Sequence, residues 1–384
     1  MILYDLVAMQ PQGNVMSHGG GTFAYIVFKR MVERQIHFCA FFDSTRYLDS
    51  EVFDLAKENG IKLYDISKTS FEDIINKLEK PLVYSILPKP YMCISKVIGT
   101  IHDCRELELE NDLWEWRYGI TLKALIKKLY ILFFNKQYLR RESSKLNNLL
   151  SNKKFSPTTI TYYTKYKLIC NFPKLDFSSI PVFPTPFTLS TSVEPCTNKE
   201  KYFLFVSGDR WLKNVLRGVV ALDELFTCGY LNDFKVIITG LSNIDDYHYQ
   251  IKNSDKFACL GYVDNNKLQD LYKHAFAFVF PSLNEGFGIP PLEAMKYGTP
   301  VIASNKTAIP EVCGDAVLYI NPFSIEDIKA KILMLSNERD IYEELVEKGY
   351  KKFRDVAFKS IKGIDDYIDY VISRKDESKF ESVN

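Results

Sequence analysis

The segment PSLNEGFGIPPLEAMKYGTPVIAS, residues 281–304, combines a loop and a helix start that suit ligand binding. Gly286 and Gly288 let the backbone approach a ligand closely and adopt positive φ angles. A helix predicted to start near Pro291 aims free N–H groups and a partial positive charge at whatever lies above it. Such a helix start favours phosphate, so the segment predicts an anion site.

The same segment carries two carboxylates eight positions apart. Glu285 stands in the glycine-broken loop, and Glu293 is predicted to lie in the first turn of the helix. On position alone, Glu285 also fits a solvated loop acid, and Glu293 also fits a carboxylate that complements the helix dipole. The two residues by themselves leave a structural role and a ligand-binding role open.

The elements that would position these acids follow an alternating pattern of short apolar runs and helical segments. The strand candidates are ILYDLVAM, IHFCAFF, IKLYDI, PLVYSI and KVIGTIH in the first half, and YFLFV, FKVIIT, FACLGYV, FAFVF, PVIAS and AVLYI in the second. Strands separated by helices imply parallel sheets that are covered on both faces. The sequence therefore predicts an α/β protein with two Rossmann-like domains whose sheets face a central cleft, the place where such sheets bind ligands.

The chain of 384 residues exceeds what one core usually supports, and a polar stretch, TLSTSVEPCTNKEK, separates the two patterns. We predict domains over residues 1–187 and 188–355. SIEDIKAKILMLS, ERDIYEELVEKGYKKF and SIKGIDDYIDYVISRK are predicted as separate helices. The last of them, with the tail, forms a third segment, 356–384.

The composition narrows the class of protein. Hydrophobic residues make up 46% of the chain and the formal net charge is +1, a balance that argues against a nucleic-acid binder. The eight cysteines and five histidines show no metal-ligand spacing. Buried reduced thiols are therefore the preferred interpretation of the cysteines, with a disulfide framework as the alternative.

The run NEGFGIPPLEAMKYGTPVIAS, followed by IPEVCGDAVLYINP, resembles the signature of family 4 of the retaining glycosyltransferases, which have the GT-B fold. The resemblance is close from about Tyr202 to Pro322 and looser before it. It implies an enzyme that moves a sugar from a nucleoside diphosphate sugar to a saccharide or lipid-linked saccharide, in the synthesis of surface polysaccharide or glycoconjugate. It also implies that domain 1–187 binds the acceptor, that domain 188–355 binds the nucleotide sugar, and that the terminal helix crosses back to the first domain.

This resemblance assigns roles to the loop at residues 285–293. Glu285 would contact hydroxyls of the donor sugar, and Glu293 would accept hydrogen bonds from both ribose hydroxyls. A carboxylate suits a vicinal diol because its two oxygens can accept two parallel O–H hydrogen bonds. The donor-binding set is completed by Gly286, Phe287 and Gly288.

Members of the family carry a basic pair after the first strand of the second domain, which neutralises the diphosphate. The corresponding turn here reads SGDRWLKNVLRG, and Arg210 with Lys213 is the predicted pair. The turn departs from the commonest family pattern, because Asp209 precedes the arginine and the gap between the two cations is short. Arg217 is predicted to be a surface charge. The alternative for the pair is solvation at a helix start, although helix N-termini disfavour cations without an anion nearby.

The first domain supplies two further candidates by the same resemblance. SHGGGTFAYIVFKRM reads as a glycine-rich turn into a helix, whose backbone N–H groups can cradle phosphate, so Gly20 and Gly21 are predicted to face the donor phosphates. His102 follows a strand end, where family members often have a histidine near the donor sugar and acceptor. His18 is a weaker candidate, and a structural role is the alternative for His102.

The resemblance implies transfer on one face of the sugar, with the departing phosphate oxygen helping to deprotonate the acceptor. Catalysis then depends on positioning and on electrostatic stabilisation, with Glu285, His102, Arg210 and Lys213 as the catalytic candidates. No separate nucleophile is required. The sequence contains no D-x-D run to hold a divalent cation, so we predict an enzyme without a metal or other cofactor.

One segment bears on the acceptor and the location. Residues 122–155 hold nine Lys and Arg against the single acid Glu142, with Leu, Ile and Phe between the charges. A helix of this kind can lie on an anionic membrane face, and the other interpretation is a core helix with a solvated basic side. MILYDLVAMQ is typical of a first strand rather than a signal peptide, and no apolar run approaches the ~18 residues needed to span a bilayer. We therefore predict a cytoplasmic protein, with peripheral contact at the inner membrane face as an option.

Two rival functions remain open on the sequence. An epimerase or phosphorylase with the GT-B fold would share part of the phosphate site, and the paired glutamates in their transferase setting argue against it. A non-catalytic subunit that binds a partner is the other rival. The presence of both glutamates and both cations argues against that second alternative.

Overall fold

The computed structural model describes the chain except for residues 11–18, 109–111, 120–121, 187–194 and 381–384. The chain divides into two compact units. The first unit comprises Met1–Cys104, Arg140–Thr188 and Phe358–Asn384, and the second comprises Arg105–Leu139 and Leu189–Ala357. The sequence-based limits at 187/188 and 355/356 differ from this division chiefly in where residues 105–139 belong.

The described elements alternate between strands and helices through most of the chain. The strands are β1 Ile2–Asp5, β2 Cys39–Phe42, β3 Leu63–Asp65, β4 Leu82–Ser85, β5 Val97–Ile101, β6 Phe155–Thr159, β7 Glu200–Phe205, β8 Lys235–Ile238, β9 Phe257–Cys259, β10 Ala275–Phe280, β11 Val301–Ser304 and β12 Leu318–Ile320. The helices are α1 Gly19–Glu33, α2 Ser50–Glu58, α3 Phe71–Lys77, α4 Arg105–Glu108, α5 Leu122–Phe133, α6 Asn135–Leu150, α7 Tyr162–Asn171, α8 Val215–Thr227, α9 Asn265–His274, α10 Ile289–Lys296, α11 Ile309–Cys313, α12 Ile325–Asn337 and α13 Arg339–Phe380.

The first unit contains a six-stranded sheet in the order β3-β2-β1-β4-β5-β6, and every strand pair is parallel. Strands β1 and β4 are buried along their whole length, which explains why their sequences are apolar without alternation. The chain order of the strands reverses between β1 and β4. The segments that follow these two strands therefore lie at the switch point, where open parallel sheets bind their ligands.

The second unit repeats this topology. Its sheet has the order β12-β11-β10-β7-β8-β9, and all pairs are again parallel. Helix α8 packs its apolar residues against the sheet, and Phe203, Phe205, Val219 and Ile238 are among the fully buried members of that core. The order reverses between β7 and β10, so the turn after β7 and the loop after β10 share the switch point of this sheet.

Eleven strands match the strand predictions, whereas β6 was not predicted. Its sequence, FSPTT, contains Pro157, which cannot donate a hydrogen bond to a neighbouring strand. The topology explains the position, because β6 is the last strand of the first sheet: it pairs with β5 along its length, and beyond that it makes a parallel bridge from Thr159 to Val182. An edge strand tolerates a proline that a central strand would exclude.

The carboxyl-terminal region is simpler than the sequence suggested. The second and third helices predicted there form one continuous helix, α13, which runs from Arg339 to Phe380. The prediction of separate helices is therefore wrong. Within the first unit, Tyr367 of α13 is 1% exposed, and its hydroxyl lies 2.6 Å from Thr100 Oγ1 and 3.0 Å from Thr158 Oγ1. Its ring stacks on Phe183 at a centroid distance of 4.5 Å, so this part of α13 belongs to the core of the first unit.

All eight cysteines are free thiols. Cys39, Cys93, Cys104 and Cys313 are buried as expected, but Cys170 and Cys228 are exposed, which the sequence interpretation did not anticipate. Among the helices of the described ranges, none is both long enough and apolar enough to cross a membrane.

Replacing Tyr367 by Ala should destabilise the first unit by about 3–5 kcal/mol, because the change removes a buried aromatic ring from a close-packed core. Tyr367→Phe should cost only about 1 kcal/mol, since Thr100 and Thr158 can still hydrogen-bond to each other. Urea unfolding followed by far-UV circular dichroism measures both effects. Phe358→Ala on the same helix is the control, because Phe358 is 72% exposed. Equal losses for Tyr367→Ala and Phe358→Ala would contradict the packing described.

Candidate active site

The candidate site of the second unit is built from the turn at residues 206–214, after β7, and the loop at residues 281–288, after β10. One backbone hydrogen bond joins them, because Leu283 N donates to Leu212 O at 2.8 Å, and Ser282 Oγ lies 3.1 Å from the same oxygen. Neighbouring strands place the two segments side by side, and these contacts fix their register. The structure therefore brings together the residues predicted from both segments.

Lys213 and Glu285 form an ion pair across this junction. Lys213 Nζ lies 2.6 Å from Glu285 Oε1, and each side chain is 13% exposed. The ammonium group also lies 5.1 Å from the centre of the Phe280 ring. Ser282 Oγ donates to the same carboxylate oxygen at 2.6 Å, and the Glu285 amide donates to Thr307 Oγ1 at 3.0 Å. The carboxylate is thus held firmly at the rim of the loop before any ligand arrives.

Arg210 is the exposed cation of the turn. It begins the short 3₁₀ turn Trp211–Lys213 as its N-cap. Within the described ranges, its guanidinium has no ion-pair or hydrogen-bond partner. An unpaired, exposed cation in the same turn as the Lys213–Glu285 pair is suited to receive an incoming anion.

The prediction that Arg217 is a surface charge is wrong. The residue is 4% exposed, and its guanidinium forms two hydrogen bonds with the carboxylate of Asp112, at 2.8 and 2.7 Å. It also lies over the rings of Trp114 and Phe323, at 4.7 and 5.3 Å from their centres. The buried partner explains the burial, because a charge leaves water only when it is paired and hydrogen-bonded.

Several residues of the site have strained backbones. Ser207, Asn214 and Thr307 adopt φ angles of 55°, 55° and 54°, a left-handed conformation that residues other than glycine seldom adopt. Each such residue costs on the order of 1–3 kcal/mol, and such strain concentrates at functional sites. Asn214 is held there because its side-chain amide donates to the carbonyls of Pro281 and Pro322, at 3.0 and 2.7 Å.

Helix α10 begins at Ile289, directly after the loop. Gly288 is its N-cap with φ 101°, a conformation that glycine adopts without strain, and no side chain caps the helix. Because the helix begins two residues earlier than predicted, Glu293 is its fifth residue and not part of the first turn. A dipole-complementing role in the first turn is therefore excluded for Glu293, while the uncapped amides still favour an anion.

Glu293 lies in a largely buried environment. Burial raises the pKa of its carboxyl above the ordinary value of 4.5, and the Tyr272 hydroxyl with the ammonium groups of Lys296 and Lys213 acts in the opposite direction. Lys296 is itself 4% exposed, and burial lowers its pKa. Glu285 and Glu293 thus occupy different surroundings, one paired with a cation and the other desolvated.

The candidates of the first unit lie near the ends of β1 and β5. Gly20 and Gly21 fall in the first turn of α1, which begins at Gly19 after residues that the structure leaves undescribed, His18 among them. His102 follows β5, is half-buried, and places Nε2 3.1 Å from the carbonyl oxygen of Ile86. Its ring meets Phe23 edge-on at 5.6 Å between centres. His102 thus follows a strand end as predicted, whereas Gly20 and Gly21 lie inside the first turn of α1 and not in a turn before it.

The sequence missed several residues that shape the site, above all Asn284 and Asp112. Asn284 is 4% exposed, its Nδ2 donates to Glu108 Oε2 at 3.0 Å, and its Oδ1 is buried without a hydrogen-bond partner in the described ranges. Its position next to Glu285 was the available signal. Asp112 gave no local signal, because its partner lies 105 residues away.

Comparison with known proteins agrees with this geometry. The chain superimposes on a glycosyltransferase from Rickettsia africae with a TM-score of 0.65 at 16% identity, over 97% of this chain and 98% of that one. Two parallel six-stranded sheets with such neighbours define the GT-B fold class. Residues 191–352 match the model of the family described as glycosyl transferases group 1.

Two curated relatives are bacterial enzymes. O-antigen chain mannosyltransferase B of Escherichia coli is 36% identical over 149 residues, which cover 38% of this chain and 39% of that protein. O-antigen chain mannosyltransferase RfbU of Salmonella typhimurium is 29% identical over 203 residues, 52% of each chain. The matched region thus spans about two fifths to one half of these relatives.

The environments of the two glutamates predict opposite effects on stability. Between pH 4.5 and the raised pKa of Glu293, the folded state binds more protons than the unfolded state, so wild-type stability falls as the pH rises. Glu293→Gln removes this loss and should raise Tm at neutral pH, with the gain vanishing below about pH 4.5. Thermal unfolding from pH 4 to 8 measures it.

Glu285→Gln is the matched variant. It leaves the Lys213 ammonium, 13% exposed, without its counter-charge, and should therefore lower Tm at neutral pH. A stabilised Glu285→Gln variant, or a Glu293→Gln gain that does not change with pH, would contradict the electrostatics described for this site.

Proposed function

We propose that the protein is a retaining glycosyltransferase that moves a sugar from a nucleoside diphosphate sugar to a saccharide or lipid-linked saccharide acceptor. The match of residues 191–352 to the group 1 family and the O-antigen mannosyltransferase relatives support a role in surface polysaccharide synthesis. The observation that carries the proposal is the exposed Arg210 beside the Lys213–Glu285 pair, at the switch point of the second sheet. Since the relatives are named mannosyltransferases, a mannosyl donor is the first to test.

The donor binds in this proposal with its charged middle against the turn. Arg210, Lys213 and the uncapped start of α10 receive the diphosphate, while Glu285 accepts hydrogen bonds from the sugar. Glu293 accepts the ribose hydroxyls, and the loop Gly286–Gly288 lets the donor approach the backbone.

Diphosphate binding changes the partner of Lys213. The incoming oxygens compete with Glu285 for its ammonium group, and release of Glu285 from the ion pair frees carboxylate lone pairs for sugar hydroxyls. The ion pair therefore neutralises Lys213 and Glu285 in the free protein. In the donor complex, the diphosphate becomes the partner of Lys213 and the sugar hydroxyls become the partners of Glu285.

Catalysis in this proposal needs neither a covalent nucleophile nor a metal or other cofactor. Arg210 and Lys213 stabilise the negative charge that develops on the leaving diphosphate, an effect worth several kcal/mol when donors are preorganised. From the first unit, Gly20 and Gly21 are assigned to the donor phosphates, and His102 to the sugar and acceptor hydroxyl. Their helix-start and strand-end positions support these assignments.

Purified protein should hydrolyse or transfer sugar from at least one member of a panel of GDP-, UDP- and dTDP-sugars that includes GDP-mannose. Arg210→Ala should lower kcat by on the order of 10²-fold with a smaller change in KM, because it removes charge stabilisation of the leaving group. Glu293→Ala should mainly weaken nucleotide binding. Arg339→Ala is the control, since Arg339 is an exposed arginine on α13.

The outcomes separate the rival functions. Activity that consumes nucleotide sugar without transferring or releasing the sugar would favour an epimerase, and phosphate-dependent sugar release would favour a phosphorylase. A protein that binds none of the nucleotides or nucleotide sugars would be a non-catalytic subunit. Equal effects of Arg210→Ala and Arg339→Ala would contradict the site.

We further propose peripheral contact with an anionic membrane at the cytoplasmic face. Ile126, Leu129, Tyr130 and Phe133 have the spacing of one helical face of α5, yet they are 60, 39, 40 and 73% exposed. A surface helix normally buries such a stripe. The following helix, α6, carries Lys136, Arg140, Arg141 and Lys145. Exposed apolar side chains followed by basic ones suit the interface of an anionic bilayer.

Vesicles containing phosphatidylglycerol should co-sediment the protein, and vesicles of phosphatidylcholine alone should do so much less, because basic residues add about 1 kcal/mol each near an anionic surface. Ile126→Ser combined with Phe133→Ser should reduce binding at least severalfold. Phe358→Ser, which removes an equally exposed aromatic ring from α13, should not. If the amount of bound protein changes neither with the α5 substitutions nor with the lipid charge, this contact is refuted.

A further inference from the structure

Asp112 occupies a buried position beside the 206–214 turn. Its Oδ1 accepts hydrogen bonds from Trp114 N and Arg217 Nη2 at 3.1 and 2.7 Å, and its Oδ2 accepts from Trp211 Nε1 and Arg217 Nη1 at 3.2 and 2.8 Å. The side chains of Asp112 and Arg217 are 6% and 5% exposed. Burial opposes ionisation, but the hydrogen bonds and charge of Arg217 prevail and hold the pKa of Asp112 below its ordinary value.

The hydrogen bonds continue from Asp112 into the candidate site. Arg217 Nη1 also donates to Asn214 Oδ1 at 2.8 Å. Asn214 in turn donates through Nδ2 to the carbonyl of Pro281, where the loop after β10 begins. Through Trp211, the same carboxylate contacts the 3₁₀ turn that carries Lys213. Asp112 thus contacts or reaches both segments of the site without lying in either.

The segment that contains Asp112 makes two more contacts of this kind. Glu108 accepts a hydrogen bond from Asn284, next to Glu285, at 3.0 Å. Tyr118 accepts from the amide of Leu216, in the first turn of α8, at 2.8 Å. Glu108, Asp112 and Tyr118 thus contact the loop, the turn and the start of α8, respectively.

The charges of the turn explain why these contacts are useful. The turn and the start of α8 carry three cations within eight positions, Arg210, Lys213 and Arg217, at a helix start that disfavours positive charge. Asp112 neutralises Arg217 and Glu285 neutralises Lys213, which leaves Arg210 exposed. Arg210 thus faces solvent, while the ion pairs of Lys213 and Arg217 hold the turn and the start of α8 in position.

We propose that Asp112 is a positioning residue for donor binding: it fixes the 206–214 turn against the 281–288 loop so that Arg210 and Lys213 face the donor diphosphate. The inference rests on the proposed function for the identity of the ligand. Asp112 does not contact the donor, and it acts through Trp211, Arg217 and Asn214.

Two variants test this without leaving a buried charge unpaired. Trp211→Phe keeps an aromatic ring but removes the indole N–H that donates to Asp112, together with part of the ring. Asp112→Asn with Arg217→Gln removes both charges together, which proteins tolerate better than loss of one partner. Asp365→Asn is the control, because Asp365 forms an ion pair with Arg30 inside the first unit.

The first measurement needs no ligand. The amides of Lys213, Asn214 and Leu283 donate to the carbonyls of Arg210, Trp211 and Leu212. Their hydrogen exchange should accelerate at least tenfold in the double variant and less in Trp211→Phe, with no change in Asp365→Asn. Unchanged exchange at all three amides in the double variant would overturn the inference, whatever the protein binds.

The second measurement is a mutant cycle that combines the Asp112→Asn/Arg217→Gln double variant with Arg210→Ala. Its readout is the Kd of GDP and of UDP, measured by calorimetry. If Asp112 acts through the turn, the double variant should weaken binding at least tenfold, and the combined variant should be weaker by less than the product of the two effects. Multiplicative effects would overturn the positioning role. If the wild-type chain binds neither of these nucleotides nor dTDP, the proposed function fails, and the exchange result shows separately whether Asp112 fixes the turn.

Discussion

The ion pair between Lys213 and Glu285 is the constraint on which the second unit's site depends. It joins the segments that follow β7 and β10, the two strands between which the sheet reverses its order. Parallel pairing alone brings these segments to the same edge, but it does not set their register. The ion pair and the contacts of Leu283 N and Ser282 Oγ with Leu212 O set it, and they hold Glu285 against Lys213 in the turn that also carries the exposed Arg210.

Holding the two segments in this register costs free energy, because three residues adopt unfavourable backbone conformations. Ser207, Asn214 and Thr307 adopt left-handed conformations, and Thr307 is β-branched, the kind of residue that disfavours them most. Two of the three are tied by their surroundings: Asn214 by two carbonyls, and Thr307 by the amide of Glu285. The strain lies in and beside the segments that carry the charges, and backbone strain of this kind clusters at functional sites.

Most of the fold could be predicted from the sequence because buried parallel strands are continuous apolar runs, and eleven such runs are present. The prediction of a GT-B fold is confirmed, and the match of residues 191–352 to glycosyl transferases group 1 agrees with the predicted glycosyltransferase family without identifying family 4 itself. The exceptions have local causes: β6 carries Pro157 at a sheet edge, and α13 has no proline or glycine cap to mark where one predicted helix passes into the next. At the site, the types and spacing of residues marked the glutamates, but the burial of Arg217 depended on Asp112, a partner that no local pattern reveals.

The two glutamates show why spacing could locate the site without assigning its members. Glu285 is neutralised by a cation 2.6 Å away, so its charge is stabilised before a ligand binds. Glu293 is eight positions later in sequence but is desolvated, and its raised pKa means that the folded chain disfavours its charge. A carboxylate in such a place weakens the fold at neutral pH, a cost that the proposed donor would offset. A pair of ribose hydroxyls would supply the hydrogen bonds that burial has removed.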